Sequence, residues 1–184
     1  MYKNRIKYDG MIFNKYIDCK DIESKVLGLS DKLNVYYKDK EPLIVGVLNG
    51  CIYFMMDLLR NFNFKYTINF LKANSYTKTY SGVLKLEELN KTLYCNKNIL
   101  IVEDIIDSGK TIDTLYKQIS LFKPKEIKII TLLNKYTNSE KHSFVINWYG
   151  FDIKQKYVIG YGLDYNNLFR YLKDIYIEDE KEEK

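Results

Sequence analysis

A single histidine, His142, stands in the whole chain, in a polar stretch that matches nothing catalytic. That scarcity removes most mechanisms built on an imidazole base or a histidine-rich metal site, and surface placement is the expectation for His142. Cysteine is nearly as sparse. Cys19, Cys51 and Cys95 lie far apart and form no C-x-x-C pair, which argues against a disulfide framework or a zinc site and fits a reducing compartment. Cys51 lacks a matching general base, so a nucleophilic role is not expected. No apolar stretch approaches transmembrane length. The opening Met1-Tyr2-Lys3-Asn4-Arg5 leads into no apolar h-region, so no signal peptide, no membrane partner and a cytoplasmic location are expected. Repeats and Gly/Ser/Pro linkers are also missing, and residues 1–184 are read as one domain.

Charge of one sign is not in large excess. The formal net charge is +5, its basic residues are scattered, and residues 178–184 form a mixed, mostly acidic tail. Such a balance suits an anionic substrate and permits weak nucleic-acid attraction, although a solvated surface also accounts for it.

What is present is a core. Hydrophobic residues make up 46% and aromatic residues 15% of the 184 residues, enough to fold without disulfides or a structural metal. With 18 tyrosines and abundant lysine, asparagine and isoleucine, single surface residues of these types carry little weight. Ile22, Val26, Leu29, Leu33 and Tyr36 recur at helical spacing, predicting an amphipathic helix. After Pro42, residues 43–48 read as a buried strand and 52–60 as a mostly apolar helix. Tyr66 to Leu71, Ile99 to Glu103 and Ile127 to Leu133 read as further strands. Lys110 to Phe122 reads as a helix ended before Pro124. Shorter strands are expected near Phe144 to Trp148 and Tyr157 to Ile159. Apolar strands alternating with helices imply an α/β fold whose parallel sheet is covered on both faces, with ligands bound beyond the carboxyl ends of the strands.

The most informative run follows the third strand: Glu103-Asp104-Ile105-Ile106-Asp107-Ser108-Gly109-Lys110-Thr111, leading straight into a helix. A Ser-Gly turn opening a helix aims unpaired N–H groups at an anion. Ser108 and Thr111 add hydroxyls, Lys110 adds charge, and a phosphate monoester fits such a cradle. A triphosphate-binding P-loop is the rival, but it needs glycine where this chain has Asp104. Glu103 and Asp104 would be costly if buried without partners. Adjacent ribose hydroxyls and a hydrated magnesium ion are suitable partners for the pair.

This segment resembles the signature of type I phosphoribosyltransferases, and other segments resemble the hypoxanthine/guanine branch in order along the chain. They are Gly46-Val47-Leu48-Asn49-Gly50, Asn74-Ser75-Tyr76 with Ser81-Gly82-Val83, Leu132-Leu133-Asn134-Lys135, and residues 157–166 with Arg170 beyond. The resemblance implies a central parallel sheet flanked by helices, with a small hood built from the N-terminal arm and residues of about 150–184. It implies phosphoribosyl pyrophosphate and a 6-oxopurine as substrates, Mg2+ as cofactor, and a homodimer or homotetramer. Under it, Glu103, Asp104, Asp107, Ser108, Gly109, Lys110 and Thr111 hold the ribose and its 5-phosphate. Leu48, Asn49, Gly50 and Arg170 take pyrophosphate, and Ser75 and Tyr76 belong to a lid. Lys135, Tyr157 and Val158 read the base, while Glu103, Asp104 and Asp164 are linked to the metal. Asp107 is the implied general base, sharing the purine N7 proton.

The family usually has lysine where this chain has Asn49, often after a non-proline cis peptide. Pyrophosphate binding is therefore expected to lean on Arg170, metal and backbone. Taken alone, Tyr157 is an ordinary strand tyrosine, Lys135 a solvated strand end, and Asp164 with Arg170 a surface ion pair. Two alternatives stay open: an RNA-binding regulator on the same fold, and a transferase for xanthine or another base. Lys135 favours a 6-oxopurine, because lysine needs an acceptor where adenine offers a donor.

Overall fold

Strands that are apolar on both sides require cover on both sides, and the chain alternates strands and helices to provide it. The computed structural model describes residues 4–74, 85–86, 89–135 and 142–179. In chain order, β1 (Arg5–Tyr8) and β2 (Met11–Ile17) lead into α1 (Cys19–Tyr37), then β3 (Leu43–Leu48), α2 (Ile52–Arg60), β4 (Thr67–Asn74) and β5 (Lys85–Leu86). The short α3 (Lys91–Tyr94) precedes β6 (Asn98–Ile106), α4 (Lys110–Ser120), β7 (Glu126–Asn134), β8 (Trp148–Asp152), β9 (Val158–Ile159) and β10 (Ile175–Glu178). The main sheet runs β5-β4-β3-β6-β7-β8. Its strands from β4 to β8 are all parallel, and β5 alone is antiparallel, at the edge.

Alternation along each central strand sorts the core into two layers. Leu100 and Val102 of β6 face α1 and α2, while Ile99 and Ile101 face α3 and α4. The α1 helix starts at Asp18, whose side chain accepts from the Lys20 N–H at 3.0 Å, the usual use of an aspartate cap. It buries Ile22, Val26, Leu29 and Leu33 as expected, but Tyr37 rather than Tyr36 completes the stripe. Tyr36 turns its hydroxyl to Glu126 at 2.6 Å.

The second sheet, β1-β2-β10-β9, is antiparallel and forms the hood. It packs on its own cluster, which includes Ile6, Phe13, Ile159 and Phe169. Lys15 sits between Asp18 and Asp174, at 3.1 and 2.9 Å, and the Cys19 N–H donates to Asp174 at 2.8 Å. These contacts tie the hood to the start of α1.

Two expectations are corrected. The strand foreseen at Phe144 to Trp148 begins only at Trp148, because Phe144 is drawn into the layer beneath α4 and the Asn147 side chain accepts the Ile129 N–H at 2.8 Å. His142 is not a surface residue: its side chain is 6% exposed and stacks on Phe144 with ring centroids 5.4 Å apart. No helix among the described residues is long and apolar enough to cross a membrane.

Candidate active site

At the carboxyl ends of β3, β4 and β6 lies a cavity of about 700 Å3, lined by residues 47–50 and 103–112 together with Lys72 and Arg170. Parallel sheets place their ligand crevices at this end. The cavity joins two segments that are remote in sequence, the turn after β3 and the run from Glu103 to Thr111.

The part of the wall that suits an anion is the start of α4. Gly109 caps this helix in the left-handed region, with φ at 76°, and the N–H groups of Lys110, Thr111 and Ile112, which precede the first helical bond from Asp113 to Gly109, have no intrahelical acceptor. A Cβ at Gly109 would meet His142 Nε2 at 3.1 Å and Phe144 Cζ at 3.2 Å, so both backbone angle and space call for glycine. His142 therefore backs the turn from behind. Asp113, in the first turn of α4, accepts from the Ser143 N–H at 2.7 Å and fixes this strap to the helix.

Beneath the turn sit the two acids. Glu103 is 6% exposed and its Oε1 accepts the Asp104 N–H at 3.1 Å, while Asp104 Oδ1 accepts the Ile105 N–H at 2.9 Å. Burial, reinforced by the charge of Asp104, pushes the Glu103 carboxyl well above the ordinary carboxylate range. Because the folded state then binds this proton more tightly than the unfolded chain, Glu103 costs stability as pH rises from about 4.3 through its raised value. The ligand-free Glu103→Gln variant is expected to melt higher than wild type near neutral pH, by about 2–4 °C for each 1 kcal/mol recovered. The difference should vanish towards about pH 4, where the unfolded carboxyl also takes up its proton. Thermal melts across pH check this, and a difference independent of pH contradicts it.

The turn after β3 is pressed onto these acids. A Cβ at Gly50 would overlap the Asp104 carboxylate, so any larger residue there would have to displace that side chain. The Leu48–Asn49 peptide bond is cis. Behind the turn, Cys51 is fully buried, and burial, with lesser contributions from Glu103 and Asp104, raises its thiol pKa. A protonated thiol is a poor nucleophile.

On the far side, Lys135 Nζ stands 2.9 Å from Asp107 Oδ2. Lys135 is held at the end of β7 by its N–H, which donates to the Ile106 carbonyl at 2.9 Å. Tyr157 is half-exposed and donates its hydroxyl to the Asp164 carbonyl at 2.8 Å, with Tyr165 set edge-on to its ring. Val158 is buried in β9. Asp164 pairs with Arg170 through one oxygen and accepts the Asn167 N–H at 2.8 Å through the other. Arg170 also donates to the Gly162 carbonyl at 2.6 Å.

The cavity wall thus brings together Leu48, Asn49, Gly50, Glu103, Asp104, Asp107, Ser108, Gly109, Lys110, Thr111 and Arg170. Lys135, Tyr157, Val158 and Asp164 are not part of that wall; Lys135 and Asp164 join it through Asp107 and Arg170. Asp164 is not clustered with Glu103 and Asp104: the close acid and thiol cluster among the described residues is Asp18, Cys19 and Asp174, whose carboxylates already hold the Lys15 ammonium. Ser75 and Tyr76 lie outside the described residues. Lys72, on the wall, had no signal in the sequence beyond its place at the end of a strand.

The profile described as phosphoribosyl transferase domain matches residues 15–166. Hypoxanthine-guanine-xanthine phosphoribosyltransferase of Tritrichomonas foetus is 34% identical over 153 residues, covering 83% of this chain and 84% of that one. Hypoxanthine-guanine phosphoribosyltransferase of Bacillus subtilis is 37% identical over 154 residues, covering 83% and 85%. Among solved structures, a hypoxanthine-guanine phosphoribosyltransferase of Bacillus anthracis superposes with a TM-score of 0.79 at 31% identity, covering 89% of this chain and 97% of that one. A hypoxanthine phosphoribosyltransferase of Staphylococcus aureus does so with a TM-score of 0.81 at 28% identity, covering 90% and 91%.

Proposed function

This chain belongs to the phosphoribosyltransferase family, and from that premise we propose that it is a purine-salvage enzyme joining hypoxanthine or guanine to the ribosyl group of phosphoribosyl pyrophosphate. The products are the nucleoside 5'-monophosphate and pyrophosphate. The observation that carries this reading is the cavity at the ends of β3 and β6. There an amide-lined turn, two acids and the turn after β3 share one space, and the Asp107–Lys135 pair stands beside them.

In the reaction the bond from the anomeric carbon to the pyrophosphate oxygen breaks, and its electron pair leaves with pyrophosphate. Purine N9 attacks the same carbon, and the N7 proton passes to Asp107. Ser108, Gly109, Lys110 and Thr111 grip the 5-phosphate and fix the sugar in place. Glu103 and Asp104 accept from the ribose hydroxyls and favour the positive charge that develops on the ring. Arg170, Asn49 and the Leu48 and Gly50 backbone take the pyrophosphate. Lys135 donates to the O6 acceptor of the base while its contact with Asp107 holds both groups in register. Tyr157 offers a ring face for the purine, and Val158 reads the base edge through its backbone.

The donor set at Glu103 and Asp104 suits Mg2+: both are oxygen ligands facing an open cavity, and among the described residues no cation stands beside the buried Glu103. Magnesium takes one or two carboxylates and completes its shell with water and substrate phosphates. When bound, it would neutralise charge on the leaving pyrophosphate, with Asp164 acting through Arg170 at the same end. The free cysteines fit a cytoplasmic setting.

An assay with phosphoribosyl pyrophosphate, Mg2+ and each base in turn tests this reading. Turnover of hypoxanthine and guanine, and none of adenine, is expected. Lys135→Gln should raise the KM for the base about 10-fold or more, the range for a hydrogen bond from a charged group, and leave the KM for phosphoribosyl pyrophosphate nearly unchanged. No turnover of any 6-oxopurine, with RNA retained in a salt-dependent manner instead, would overturn it.

A further inference from the structure

The cavity wall holds one cation to which the transferase chemistry assigns no task. β4 runs parallel to β3 with Lys72 as the register partner of Leu48. Lys72 therefore leaves the sheet level with the turn at 48–50 and lines the same cavity as Asn49, Gly50 and Arg170. Asn49 contributes no charge there. The guanidinium of Arg170 is already engaged, by Asp164 and by the Gly162 carbonyl at 2.6 Å. Lys135 is held 2.9 Å from Asp107, and Lys110 opens α4 on the other side of the cavity. Lys72 is exposed, and its ammonium has no ion pair among the described residues. On the pyrophosphate side of this site it is the cation with nothing internal to neutralise.

We propose that Lys72 is a substrate-binding residue whose ammonium contacts the diphosphate of phosphoribosyl pyrophosphate and holds it as it leaves. The proposal rests on the transferase reading. A compact point charge on a flexible stem suits a diphosphate, whose oxygens present no single plane for a forked donor. The contact strengthens during reaction, because negative charge grows on the diphosphate as its bond to the sugar breaks. A lysine at the end of a strand is commonly just a solvated residue. Here its register with the turn at 48–50 puts it where the leaving group must lie.

The reaction run in both directions isolates this role. The reverse substrates are pyrophosphate and the nucleoside monophosphate, and only the first carries the diphosphate. Lys72→Ala is expected to raise the KM for phosphoribosyl pyrophosphate and for pyrophosphate by about 10-fold, as loss of a charge-assisted hydrogen bond does. The KM for hypoxanthine and for the monophosphate should stay within about 2-fold, since neither touches Lys72. Lys72→Arg should recover most of the loss and Lys72→Gln little of it, and the gap to wild type should narrow with added salt. A pyrophosphate KM unchanged in Lys72→Ala, with wild type active, overturns the role of Lys72 alone. Equal rises for pyrophosphate and monophosphate also overturn it, since they mark a general disturbance of the site. An inactive wild type overturns the transferase reading and this proposal with it.

Discussion

Replacing Asp107 by asparagine is expected to lower turnover by about 10²-fold or more, the usual contribution of a positioned general base, and to leave binding of phosphoribosyl pyrophosphate largely intact. The amide fills the same space and still accepts from Lys135 Nζ, which stands 2.9 Å from the Asp107 carboxylate. What it cannot do is take a proton. The defect should therefore appear in kcat, with little change in the KM for either substrate. Paired measurements of kcat and of equilibrium binding of phosphoribosyl pyrophosphate separate the two effects. Unchanged turnover removes Asp107 from proton transfer. A matching loss of binding would instead assign it to holding the sugar.

The second large effect belongs to Gly109. An alanine there keeps every hydrogen-bonding group of the loop, yet it has to adopt a φ of 76°. Its methyl would also lie 3.1 Å from His142 Nε2 and 3.2 Å from Phe144. The left-handed conformation costs a non-glycine residue about 1–2 kcal/mol, and the crowding adds to it. Relief by opening the turn would spoil the amide cradle, so the KM for phosphoribosyl pyrophosphate should rise about 10- to 100-fold while the base KM changes little. Gly109→Ala combined with His142→Ala distinguishes the two causes. Shortening the histidine removes one of the close contacts and leaves the backbone cost, so the double variant should regain part of the lost affinity. Full recovery would assign the whole defect to space, and no recovery would assign it to the backbone angle and Phe144.

The parts of this molecule that could be read from the chain are those written locally. The run from Ile99 to Thr111 states a strand, a turn and a helix start in consecutive residues, and its chemistry follows from those residue types alone. Apolar continuity in residues 43–48 and 127–133 likewise announced central strands, the first with these bounds and the second longer by one residue at each end. Pairings across the sheet could not be read this way. Nothing in the sequence says that Lys72 stands level with Leu48, or that Gly50 closes on Asp104. These facts depend on register between strands whose separation in the chain carries no information about it.

The segment from His142 to Trp148 went astray for a related reason. Its apolar residues suit a strand as well as they suit a loop packed under a helix, and α4, a separate element, decides between the two. The choice between Tyr36 and Tyr37 turns on one step of helical phase, and two adjacent tyrosines give the periodicity no way to choose. The side proposed to read the base was visible only through resemblance, since Tyr157 and Lys135 are individually commonplace in so tyrosine- and lysine-rich a chain.

The hood is stitched from both ends of the chain: β2 lies against β10, with Ile17 opposite Ile175. During synthesis, β2 leaves the ribosome long before its neighbour exists. Every strand of the main sheet is made before β9 and β10, so β2 waits for its partner until that sheet is complete.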